Sequence, residues 1–132
     1  EAAVRMFENA LGIDQRFAAA YAALGEACAY MYEWYDGSKD WLARAIEMNQ
    51  KALEHDRGSV EAQFGIAMVY YHQQRFAEAL TESGAGIELL LARGKAPKEW
   101  LRAGREDLVA EYEALGRPEE AKAVRRELAK GD

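Results

Sequence analysis

The chain has 132 residues, half of them hydrophobic and 30% charged, with two prolines and one cysteine, which speaks against a disordered or disulfide-built chain and predicts a single domain. Seventeen basic against 23 acidic side chains give a net charge of −6, which disfavours the phosphate neutralisation on which nucleic-acid binding depends and makes neutral or basic partners the expectation. No apolar stretch approaches the roughly 20 residues needed to cross a bilayer and residues 1–15 lack the pattern of a signal peptide, so neither membrane nor secretion is expected and the cytoplasm is the default setting.

Alanine fills 26 positions, a bias that favours helix over sheet and predicts an all-α fold. Breakers at Gly12, Asp36-Gly37-Ser38, Arg57-Gly58-Ser59, Gln73-Gln74, Gly94 to Pro97 and Gly116-Arg117-Pro118 divide the chain into seven helix-sized pieces. The first, near 1–12, has Val4, Phe7 and Leu11 at helical spacing. The second, 17–35, runs into Gly37, which suits the left-handed residue after a helix, and Ser38 or Asp40 can cap the third at 39–55. The fourth and fifth are predicted at 59–72 and 76–93, and Pro97 suits the first turn of the sixth at 97–115. In the seventh, 118–130, the apolar face narrows to Ala121, Val124 and Leu128 under a charged remainder, as expected of a capping helix on which no further repeat packs.

Three internal matches indicate that these helices repeat. Ala45 to Asp56 aligns with Ala3 to Asp14, with alanine, Ala-Leu and aspartate at equivalent places. Tyr21-x2-Leu24-Gly25-x2-Cys28 is followed by Gln63-x2-Ile66-Ala67-x2-Tyr70 and Arg105-x2-Leu108-Val109-x2-Tyr112, and the turns Gln74-Arg75-Phe76-Ala77-Glu78-Ala79 and Gly116-Arg117-Pro118-Glu119-Glu120-Ala121 also match. Over essentially its whole length the chain resembles the tetratricopeptide repeat family, whose unit is a helix pair of about 34 residues. That resemblance implies a right-handed solenoid of about three and a half repeats. Residues 1–16 would be the second helix of a partial repeat, 17–58 and 59–96 lengthened repeats, and 97–132 the C-terminal repeat and cap.

Small residues at helix crossings fit the family pattern, among them Gly25, Ala45, Ala79, Gly86 and Ala121. Departures are Gln63 and Arg105 at a position usually aromatic, Gln15 and Arg57 where proline is usual, and two eight-residue insertions, around Tyr30 to Trp41 and around Leu90 to Pro97, that would make the hairpins taller by about one turn. The rhythm from Ile13 to Ala27 is also similar to the repeat regions of bacterial signalling kinases and cyclases. With a first residue, Glu1, inside the second helix of a repeat, this implies a fragment of a larger protein, in which the chain could serve as a regulatory tail.

The family lines its groove with the first helix of each pair. Carried onto this sequence, that places Ala19, Ala22, Glu26, Ala29 and Tyr30 in the groove from the first pair, Glu61, Phe64, Met68, Tyr71 and His72 from the second, and Ala103, Glu106, Ala110, Glu113 and Ala114 from the third. The expected site is thus Glu26, Tyr30, Glu61, Phe64, Met68, Tyr71, His72 and Glu106, aromatic in the middle and acidic at its edges, suited to a neutral or basic protein segment. The carboxylate clamp of chaperone-binding members needs Lys, Asn and Arg where this chain has Ala22, Glu26, Phe64 and Met68, so acidic C-termini are not expected ligands. The competing expectation is a structural element that self-associates through the N-terminal helix, where Met6 and Phe7 would otherwise lack a partner.

Tyr30, Met31, Tyr32, Trp34, Tyr35 and Trp41 form the densest aromatic cluster, expected to close the taller hairpin with Trp34 against Trp41. An enzyme is not expected. His55 and His72 are separated in the repeat alignment, Cys28 falls at a core position, His55 falls in a slot between repeats, and no metal-spaced pair or cofactor motif is present. Ser83-Gly84-Ala85-Gly86 lies within a helix and is read as close packing rather than a phosphate loop.

Overall fold

The computed structural model describes residues 2–94 and 96–130. Glu1, Lys95, Gly131 and Asp132 lie outside the described residues, and with them the predicted first residue of the first helix and part of the breaker at Gly94 to Pro97. The described residues are all helical in their regular structure, without strands: α1 (Ala2–Ile13), α2 (Ala18–Met31), a π-helical turn (Tyr32–Asp36), α3 (Lys39–His55), α4 (Val60–His72), α5 (Phe76–Ala92), α6 (Lys98–Ala114) and α7 (Pro118–Ala129). Each helix packs on its neighbour in the chain, and α2 also packs on α4.

Local chemistry sets these boundaries. The Ser38 side chain accepts from the Asp40 amide and the Ser59 side chain from the Ala62 amide, so each hydroxyl satisfies one amide that the first turn of α3 or α4 leaves unpaired. Gly37 ends the π-helical turn at φ +65°, and Gly116 ends the loop after α6 at φ +70°. The turns after α4 and α6 are copies of one another. In each, an arginine (Arg75, Arg117) returns its amide to the tyrosine carbonyl five residues back (Tyr70, Tyr112), lays its guanidinium over that tyrosine's ring and pairs with a glutamate in the next helix (Glu78, Glu120). The copy extends to the backbone, because Gln74 stands at φ +61° where Gly116 stands in the second turn.

The stretch read from sequence as the first insertion, around Tyr30 to Trp41, contains the π-helical turn beyond α2. It leaves Trp34 75% exposed, while the Trp41 indole donates to Asp36 Oδ2 at 3.1 Å, so the expected packing of Trp34 against Trp41 is replaced by a Trp41–Asp36 bond across the turn. The stretch read as the second insertion, around Leu90 to Pro97, falls at the end of α5 and the connection to α6, away from the α4–α5 turn.

The main core joins α1, α2, α3 and Val69 of α4 through Val4, Leu24, Cys28, Leu42, Ala45 and Met48. Phe7 and Leu11 pack against it, so Phe7 is engaged within the chain; Met6 is the exposed member of the pair, at 58%. Cys28 is fully buried, and burial foremost pushes its thiol above the usual range. His55 does not fill a slot between repeats. It is exposed and stacks on the Tyr21 ring with centroids 5.5 Å apart, because the end of α3 leaves it at the surface beside α2. On the outer helix, Ala121 is buried and Arg125 meets Glu113 of α6 at 2.6 Å.

Candidate functional site

Two side chains wedge between helices and set the groove. Asn49 of α3 is 1% exposed and donates from Nδ2 to the Ala45 carbonyl at 2.9 Å, occupying space left by two glycines. A Cβ at either Gly25 of α2 or Gly65 of α4 would lie 2.7 Å from its amide. Phe64 of α4 does the same one step along. A Cβ at Gly86 of α5 would lie 2.8 Å from its ring, and one at Gly104 of α6 2.9 Å. With no side chain at either glycine, α5 and α6 close onto the ring.

Between these wedges lies a groove with a cavity volume of about 680 Å³, walled by α2, α4 and α6 and closed at one end by the turn between α3 and α4. Five of the expected residues line it: Glu26 from α2 and Glu61, Phe64, Met68 and Tyr71 from α4. Tyr71 is braced edge-on against Phe76, with centroids 5.2 Å apart. Phe64 has a double role, since the half-buried ring that faces the groove also holds α5 and α6 in place.

Three expected residues lie elsewhere. Tyr30 is 53% exposed near the end of α2, beyond the groove. His72 turns its ring edge-on to Tyr32, with centroids 5.7 Å apart, against the π-helical turn. Glu106 is exposed and accepts from Arg102 at 3.1 Å along the surface of α6. The last of these reflects a rotation of the whole helix. Seating Gly104 on Phe64 turns Trp100, Asp107 and Glu111 to the groove in place of Ala103, Glu106 and Glu113. Of the expected α6 face only Ala110 lines the groove.

The rotation changes the chemistry of the floor. Glu111 is 2% exposed, its Oε2 accepts from the Ser83 hydroxyl of α5 at 2.9 Å, and its Oε1 has no hydrogen-bond partner. Burial pushes the Glu111 carboxyl up to about 7; the Ser83 hydrogen bond opposes that rise and the Asp107 charge adds to it. Asp107, one turn earlier on the same face and more open to solvent, is raised to about 6, by desolvation first and by Glu106 second. With Glu26, Asp56 and Glu61, the groove carries five carboxyl groups, and its lining contains no lysine, arginine or histidine among the described residues.

The chain matches no protein-family model and no curated protein.

The described residues contain no cluster of His, Cys, Asp or Glu suited to a metal ion, and none of their helices is long and apolar enough to cross a membrane. Sequence reasoning missed Asn49, Trp100, Asp107 and Glu111. For Trp100 a signal existed: it is the one aromatic in the first turn of α6, just after the second predicted insertion.

Proposed function

We propose that this chain is a tetratricopeptide-type interaction module that binds a segment of another protein in the groove between α2, α4 and α6. The observation that carries the reading is the groove itself, whose apolar wall of Met68, Tyr71 and Trp100 stands open, each at least 36% exposed, beside an acidic lining. Exposed apolar groups grouped in a cleft provide burial energy for a ligand, at about 25 cal/mol per Å² removed from water, and the surrounding carboxylates select its charge. The repeated turns after α4 and α6 and the small residues at the crossings support the family reading.

The test is selection from a random peptide library displayed on phage, followed by affinity measurement on Met68→Ser/Glu61→Lys. Both positions are exposed and neither is a wedge, so the fold should survive. Selected peptides should bind the parent and lose at least tenfold in affinity on the variant at unchanged melting temperature, with binding that weakens as salt rises. Failure to select any peptide, or peptides indifferent to the double change, would overturn the proposal.

A further inference from the structure

One residue lining the groove, Glu111, carries a buried polar atom that the chain itself does not satisfy. Glu111 is buried in a helix-lined cleft, one carboxyl oxygen takes the Ser83 hydroxyl, and the other, Oε1, is without a donor. Buried polar atoms in folded proteins are almost always paired, and an exception marks strain, an unseen bound group or a functional role. Here the surroundings identify what is missing. Asp107 stands beside Glu111, Glu26 and Glu61 line the same groove from α2 and α4, and the lining supplies no cation to offset them.

We infer that the floor of the groove receives one cationic side chain, a lysine or arginine of the bound segment, whose donors pair with Glu111 Oε1 and Asp107. The inference rests on the reading of the groove as a peptide site and specifies the chemistry at its centre. A neutral apolar side chain would leave Oε1 without a donor, and an acidic one would add like charge to a site that already holds five carboxyl groups. A lysine or arginine meets both requirements. Its methylene stem lies on the apolar wall of Met68, Tyr71 and Trp100, its charged end supplies hydrogen bonds to carboxylate, and aromatic faces favour the cation as it leaves water. Glu111 is fixed for this task by Ser83, which holds one oxygen and leaves the other to the ligand.

The experiment titrates the full chain, labelled with 15N, with Nα-acetyl-lysine methylamide and with its uncharged counterpart Nα-acetyl-norleucine methylamide, following the Trp100 indole and the amides of Gly65 and Gly104. The lysine probe should shift these signals saturably and bind at least fivefold more tightly than norleucine. Glu111→Gln keeps the shape and an acceptor for Ser83, and should bring the ratio close to one; Asp107→Asn, at the more open carboxyl, should lower it at least twofold. Equal binding of the two probes, no binding of the lysine probe, or a preference that survives Glu111→Gln would overturn the inference. The two readings can fail separately. Selected peptides that bind the groove without lysine or arginine leave the peptide site standing and overturn the cation site, whereas a lysine probe that binds through Glu111 when no peptide is selected does the reverse.

Discussion

Replacing Glu111 by glutamine should stabilise this protein at high pH and hardly at all at low pH. The carboxyl is 2% exposed and titrates near 7 in the folded chain, against an ordinary value of 4.5. A carboxyl raised in this way binds its proton more tightly when folded, so its contribution to stability is complete below the unfolded value and is lost as pH rises through about 7. A displacement of about two and a half pH units, at about 1.4 kcal/mol each, gives about 3 kcal/mol between the two limits. Asp107 adds in the same direction, but at its more open position solvent screens it and Glu111 dominates. Urea unfolding at pH 5, 6, 7 and 8 would measure the effect as the difference between parent and Glu111→Gln. That difference should be small at pH 5 and grow to about 3 kcal/mol in favour of the variant at pH 8. A flat difference, or a variant less stable than the parent at pH 8, would show that Glu111 is not an uncompensated buried acid.

Two glycines of one helix should respond in opposite directions. In α5 a Cβ at Gly84 meets nothing within 4 Å, so Gly84→Ala should raise stability by about 1 kcal/mol through helix propensity alone. Gly86→Ala, whose Cβ would lie 2.8 Å from the Phe64 ring, should lower it by about 1–3 kcal/mol, and paired thermal melts would expose any failure of this contrast. Gln74, a non-glycine residue at φ +61°, should gain about 0.5–1 kcal/mol on change to glycine, whereas Gln74→Ala should gain nothing. A melting temperature for Gln74→Gly at or below the parent's would contradict the match between this turn and the one at Gly116.

The helices were legible because each carries its own start, stop and apolar spacing. Ser38 and Ser59 cap where a side-chain acceptor stands before an apolar run, Gly37 and Gly116 end helical segments where left-handed geometry is needed, and all seven predicted helices are present to within a few residues. The exception is local. Tyr32 to Asp36 continues α2 with π-helical geometry, a change of hydrogen-bond pattern that leaves no mark on apolar spacing and that reorients Trp34 and Trp41. Gly84 and Gly86 show the same limit, since the sequence marks both as packing positions and only Gly86 faces another helix.

The site was legible in α2 and α4 but not in α6, and the cause is a single large residue. The repeat alignment gives Phe64 the position that Ala22 holds in the first pair and Glu106 in the third, and it assumes that equivalent positions face the same way. That assumption holds only while the side chains at the crossing are alike. Phe64 is too large to share its crossing with a second side chain, so α5 and α6 meet it with Gly86 and Gly104, and seating Gly104 on the ring fixes the rotation of α6. One residue of rotation about a helix is about 100°, enough to replace the exposed Glu106 with Asp107 and the exposed Glu113 with the buried Glu111. Charged residues are by default surface residues, so a glutamate in a run of Asp107, Glu111 and Glu113 gives no sign from sequence of which one is inside. The sign lay in the glycines. A glycine within a helix costs stability unless something occupies the space it leaves, and Gly65, Gly86 and Gly104 together require neighbours that intrude, which here are Asn49 and Phe64. Once Phe64 is placed against Gly104, the side chains one turn to either side, Trp100 and Asp107, flank the groove, and Glu111 follows one turn later on the same face.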